Sequence, residues 1–230
     1  MMLPTTLSPR VAALLEKMRS NRGRLIFALD ATGSREPTWD MATHLQAQMF
    51  EEAARIGGLD VQLVYYRGAA EVRQSAWLSD PHTLVSRMRT IRCAAGTTKI
   101  VRVLRHIRAE NGREKIGAAI FIGDAVEEHP VELYDVAADL NVPLFMFQEG
   151  DGDVVYLNQR GEIAGERQKV EHVFREIARL SGGAYGKFDA GAAKQLAELL
   201  RAVAAFAVGG INALADQGTD SATRLLFQMK

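Results

Sequence analysis

Leu25-Ile26-Phe27-Ala28-Leu29-Asp30-Ala31-Thr32-Gly33-Ser34 is the stretch whose reading decides the fold. Five apolar residues in a row read as a strand buried on both faces, the kind found in parallel sheets. The carboxyl end of that strand delivers an acid, two hydroxyls and a glycine to one point, and open α/β sheets place their ligands beyond the carboxyl ends of strands. A carboxylate with hydroxyls at alternate positions is a hard-oxygen set suited to Mg²⁺ or Mn²⁺. What that set is for depends on what other segments bring to it.

Working outward, short apolar runs alternate with helical patterns, the signature of a mostly parallel sheet covered by helices. A helix is expected over 8–22. After Asp30, Thr38 is a plausible N-cap for a helix that keeps Ala42, Leu45, Met49, Ala53 and Ile56 on one face and ends at Gly57-Gly58. A second strand spans 61–66, and 69–77 reads as an antiparallel edge strand. Helices follow over 81–92 and, after a loop at 94–97, over a segment carrying Ile100, Val103, Leu104 and Ile107 inward. The strand 118–122 runs into Gly123-Asp124, then come a helix over 130–140 and a strand over 142–147. A protruding hairpin is expected around 154–163. The helix with Val170, Val173, Phe174, Ile177 and Leu180 stops at Ser181-Gly182-Gly183, before a short strand over 185–188 and a closing apolar helix.

Composition narrows the function. Lys plus Arg and Asp plus Glu both number 28 in 230 residues, so no net field draws the chain to nucleic acid. The lone Cys93 excludes an intrachain disulfide framework, suits a reducing compartment and reads as a packing residue. The first 24 residues lack the pattern of a secretory signal. The apolar stretch 203–215, flanked by Arg201 and Asp216, is too short to span a bilayer. The expectation is a cytoplasmic protein without membrane insertion. The histidines (His44, His82, His106, His129, His172) show no ligand spacing, and Arg102, Arg105 and Arg108 read as a solvated helix face. Trp39 and Trp77 fit either core or rim, and an exposed Trp39 would help frame a partner.

Parallel neighbours deliver their carboxyl ends to one crevice, so Asp30 and Asp124 are expected close together. Two such carboxylates repel unless a cation sits between them or one binds a proton. The hydroxyls of Thr32, Ser34 and Thr98 would fill coordination positions on that cation without adding charge.

Asp30-Ala31-Thr32-Gly33-Ser34, then Thr98, then Asp124 resembles the metal-ion-dependent adhesion site of von Willebrand factor type A (VWA) domains. The stretch from Glu132 to Leu144 and that from Val173 to Tyr185 are similar to the family's later helix–strand units, so the resemblance covers about 24–206. It implies an α/β Rossmann-like three-layer sandwich, with a mostly parallel central sheet and one antiparallel edge strand. The division it suggests is a helical extension at 1–23, the VWA-like domain at 24–208 and a tail at 209–230. It further implies a site for Mg²⁺, Mn²⁺ or Ca²⁺ built from Asp30, Thr32, Ser34, Thr98 and Asp124, completed by the acidic side chain of a partner protein. Such domains in bacteria are often paired with ring-forming ATPases of the AAA type. Thr32 stands where Ser is commoner, and Ala95-Gly96 replaces the family's double glycine. Thr97 competes with Thr98 for the ligand role, and Thr98 is favoured because Lys99-Ile100 and Val103-Leu104 follow it in the family's register.

Two other functions remain open. The Asp-x-Thr-Gly-Ser loop is also similar to the nucleophile loop of haloacid-dehalogenase-type phosphotransferases. In that reading Asp30 attacks phosphorus, Lys99 or Lys115 steadies the transferred charge, and Asp124, Glu127 and Glu128 form a magnesium loop. Alternatively, the sheet is a metal-free scaffold in which Asp30 and Asp124 cap turns.

Overall fold

The computed structural model describes residues 22–33, 36–45, 47–55, 57–68, 70–152, 169–189 and 192–229. The predicted hairpin at 154–163 and the first helix up to residue 21 lie outside the described residues, as does Ser34 of the metal loop. The strands are β1 (Gly23–Asp30), β2 (Leu59–Arg67), β3 (Glu71–Gln74), β4 (Ala118–Gly123), β5 (Leu144–Glu149) and β6 (Tyr185–Phe188). They form one sheet in the order β3-β2-β1-β4-β5-β6. All pairings are parallel except β2 with β3, so the antiparallel edge sits where the sequence predicts it.

The helices are α1 (Glu36–Leu45), α2 (Ala47–Ala54), α3 (Pro81–Thr90), α4 (Ile100–Arg113), α5 (Pro130–Ala138), α6 (Val170–Leu180), α7 (Ala193–Ala215) and α8 (Asp220–Gln228). They cover both faces of the sheet. Leu25, Phe27 and Leu29 of β1 point into a core shared with Trp39, Met49, Leu84, Leu200, Val203 and Leu225. Ile26 and Ala28 point the other way, into a core with Ile100, Leu104, Leu133, Phe174 and Ile177. The period-2 alternation of strand side chains thus feeds two cores at once, and this is why β1 is apolar at every position.

Helix limits follow local chemistry. α3 has Pro81 in its first turn, and Asp80 accepts from the Thr83 amide at 2.8 Å as N-cap. It stops at Thr90, short of the expected residue 92, because Ile91 is already extended (φ −90°, ψ 133°). α6 buries Val170, Val173, Phe174, Ile177 and Ala178, and pairs Arg175 with Glu171 and Arg179 with Glu176 on its wet side. It ends in a Schellman motif: Gly183 N–H donates to the Ala178 carbonyl and Gly182 N–H to that of Arg179, with Gly182 at φ +74°.

Thr38 is not an N-cap. α1 begins at Glu36, and the Thr38 hydroxyl donates instead to the Glu149 carboxylate at the end of β5. Trp39 is core, not rim: it is buried, and its indole N–H donates to the Met88 carbonyl at 3.1 Å. β5 begins two residues later than expected, after Pro143, whose carbonyl receives the Ala119 amide. Cys93 is half-buried against the first core. Residues 209–229 continue α7 and form α8, with Leu214, Ala222 and Leu225 buried.

Candidate metal centre

β1 lifts Asp30 to the carboxyl edge of the sheet, between Tyr66 of β2 and the end of β4. Asp30 pairs in register with Tyr66, and by alternation both side chains lie on the α4 face. A Cβ built on Gly123 would fall 2.8 Å from the Phe121 ring and 3.7 Å from the Asp30 Cβ, so glycine at the end of β4 leaves that ring its place beside Asp30. The segment 94–98 folds over this edge. Ala94 N–H donates to the Ala31 carbonyl at 3.0 Å, and Ala31 N–H donates to that of Tyr66 at 3.0 Å. A Cβ on Gly96 would fall 2.0 Å from the Gly68 carbonyl oxygen, so only glycine permits that approach.

Asp30 is 3% exposed. Its Oδ1 accepts the Thr32 amide at 2.7 Å, while among the described residues Oδ2 is buried with no hydrogen-bond partner. The Tyr66 hydroxyl lies beside this carboxylate, but it too closes no hydrogen bond of good geometry. Burial pushes the Asp30 carboxyl above its ordinary value; the amide and hydroxyl of Thr32 oppose that shift, and the charge of Asp124 adds to it. Burial, with Asp30 next in weight, drives the Tyr66 phenol well above the usual range.

Thr97 is exposed and Thr98 is 3% exposed. Of the two, Thr98 is the one turned toward the sheet edge. Its hydroxyl accepts the Glu127 amide at 3.0 Å, and its own amide donates to the Glu127 carboxylate at 2.6 Å. Glu128 receives the amides of Ile100 and Val101 at 2.7 and 2.9 Å. The first turn of α4, whose N-cap Lys99 makes no side-chain cap, is therefore capped from the loop that carries Asp124. Burial raises the Glu128 carboxyl, opposed by the two amides it accepts from.

The structure thus brings Asp30, Thr32, Thr98 and Asp124 onto three stitched loops at one sheet edge. Sequence reasoning missed Tyr66 and Glu149, and it weighed Glu127 and Glu128 only as magnesium ligands of an enzyme. Tyr66 was within reach, since it ends the expected strand 61–66 that pairs with β1; nothing in the sequence marks Glu128 as a cap. Among the described residues no three His, Cys, Asp or Glu side chains form a ready-made metal cluster. The donor set is instead carboxylate plus hydroxyl. An orphaned, buried carboxylate oxygen beside a second acid is the feature a hard cation would satisfy, and in that sense the residues fit one.

α7 is long and apolar enough to cross a membrane by length and composition. In this fold Leu196, Leu199, Leu200, Val203 and Phe206 of that helix are buried against the sheet.

No protein-family model and no curated sequence matches the chain. Solved structures do. A VWA protein from Catenulispora acidiphila superposes with a TM-score of 0.56 at 16% identity, over 82% of this chain and 43% of that one. An aerotolerance-related membrane protein from Bacteroides fragilis gives 0.55 at 15% identity, over 77% and 96%. Proximal thread matrix protein 1 of the mussel byssus, with zinc in its metal-ion-dependent adhesion site, gives 0.56 at 14% identity, over 80% and 46%. Element order, the single antiparallel edge and these superpositions agree: the chain has the von Willebrand factor type A fold.

Proposed function

We propose that this chain is a divalent-cation-dependent protein-binding domain that performs no catalysis of its own. The observation that carries the reading is the Asp30 Oδ2, buried and without a partner among the described residues, at the meeting point of the loops bearing Thr32, Thr98 and Asp124. Asp30, Thr32, Ser34, Thr98 and Asp124 would hold Mg²⁺, Mn²⁺ or Ca²⁺. Bound there, the cation would supply an electrophilic position for a carboxylate from outside the chain. The hydroxyls of Thr32, Ser34 and Thr98 would contribute oxygen without adding charge to that of Asp30 and Asp124. Asp30 organises them from behind through the Thr32 amide.

Two features favour binding over phosphotransfer. Glu127 and Glu128, which an enzyme would spend on magnesium, accept the amides of Thr98, Ile100 and Val101. Lys99 donates to the Thr97 hydroxyl on the exposed side of the loop, whereas a phosphotransferase would need its lysine over Asp30. The partner proposed is a protein offering an acidic side chain, with a ring-forming AAA ATPase as the first candidate.

Calorimetric titration with Mg²⁺, Mn²⁺ and Ca²⁺ should give saturable heat for the wild type and none for Asp30→Ala. Pull-down with metal should retain a partner that chelator releases. A partner that persists through both Asp30→Ala and chelation would refute the mechanism. The cytoplasm is proposed as the location, with the lone Cys93 in its support. Fractionation tests it, since recovery only with detergent would place the protein at a membrane.

A further inference from the structure

β6 is the last strand of the sheet, and among the described residues no strand pairs with its outer edge. Its pairing with β5 uses Ala184 and Phe188, whose carbonyls receive the amides of Met146 and Gly150. Alternation turns the main-chain groups of Tyr185 and Lys187 outward. There the chain covers itself with side-chain amides. Gln228 of α8 accepts from the Tyr185 N–H at 3.0 Å and donates to the Tyr185 carbonyl at 2.9 Å. Those are the two bonds a neighbouring strand would exchange at that rung. Gln195 donates to the Lys187 carbonyl at 2.6 Å. The edge is therefore already occupied by groups with the chemistry of a peptide bond.

Between α8 and this edge lies a cavity of about 380 Å³. Arg175, Lys187 and Arg224 line it, together with Tyr185, Leu199 and Phe227, and among the described residues no carboxylate does. Arg175 stacks 4.3 Å from the Tyr185 ring centroid. Arg175 pairs with Glu171 and Lys187 with Asp151, and neither carboxylate lines the cavity. Arg224 forms no ion pair among the described residues. Phe227 stands 70% exposed at the rim. A partly apolar groove lined by three basic side chains, Arg224 among them without an ion pair in the described residues, beside an edge held by side-chain amides suits one occupant best.

We propose that this groove binds an extended acidic peptide, which adds as a strand to β6 in place of Gln228 and sets its carboxylates against Arg224, Arg175 and Lys187. The site goes beyond the metal centre and does not need it, so the experiment is run in chelator, where metal-dependent capture is silent. The probe is a fluorescein-labelled ten-residue peptide of alternating glutamate and valine, followed by anisotropy on the full chain. Saturable binding is expected, weakening as salt rises, with no binding of the lysine–valine counterpart. Arg224→Glu should weaken binding at least tenfold with an unchanged circular dichroism spectrum. Gln228→Ala, which empties the rung, should strengthen it several-fold. No saturable binding, equal binding of the lysine peptide, or an unaffected Arg224→Glu would overturn the proposal. Full competition by millimolar glutarate would also overturn it, in favour of a small-molecule carboxylate site.

Discussion

Burying Asp30 costs the metal-free protein stability, and the pH dependence has a definite sign. Its folded pKa is raised above the ordinary 3.8 by burial. As pH climbs from there through the raised value, the unfolded chain releases its proton first, so stability falls and stays lower at neutral pH. Asp30→Asn keeps an acceptor for the Thr32 amide and removes the charge. In chelator at pH 7 it should raise the melting temperature by ~2–4 °C, the shift ~1 kcal/mol gives in a domain of this size. The gain should shrink as pH falls toward ~4 and vanish near pH ~3, where both states are protonated. Adding Mg²⁺ should stabilise the wild type and leave Asp30→Asn unmoved; scanning fluorimetry across pH reads both effects. At this scale the sequence named the acid and the hydroxyls. It favoured Thr98 over Thr97 by register alone; the fold of the loop supplies the physical difference, exposing Thr97 and burying Thr98.

Elements were legible where periodicity was complete and less so where a distant side chain intervened. α6 could be read from its apolar spacing and its Ser181-Gly182-Gly183 stop. Thr38 looked like a cap because a hydroxyl before an apolar face usually is one; the Glu149 carboxylate, far away in sequence, claims it instead. α4 shows the converse, a helix whose cap comes from another loop. Glu128→Ala would orphan the amides of Ile100 and Val101 and remove a negative charge from the positive end of the helix. A loss of about 1–2 kcal/mol in urea unfolding is expected. Because Glu127 and Glu128 also hold the Thr98 loop, cation affinity should weaken in the same variant.

For the whole molecule, the thickness of the sandwich is set where α7 presses on the sheet. A Cβ on Gly117, just before β4, would fall 2.3 Å from the Ala207 carbonyl oxygen of α7, and one on Gly23 would fall 2.7 Å from the same atom. Gly117→Ala should therefore force the helix outward and cost about 1–3 kcal/mol, read as a lower urea midpoint with an unchanged slope. The layer order, the parallel strands and the antiparallel edge could be read from the sequence because burial on both faces leaves a run of apolar residues that local patterning exposes. The sequence by itself determined the fold class and the oxygen donors on their loops, since both rest on residue type and short spacing. Only the tertiary structure decided that Asp30 has an orphaned oxygen, that Glu128 caps α4, and that Gln228 stands in for a missing strand beside β6. Each of those depends on which atoms distant segments bring within hydrogen-bond reach, and that distance is written in no local pattern.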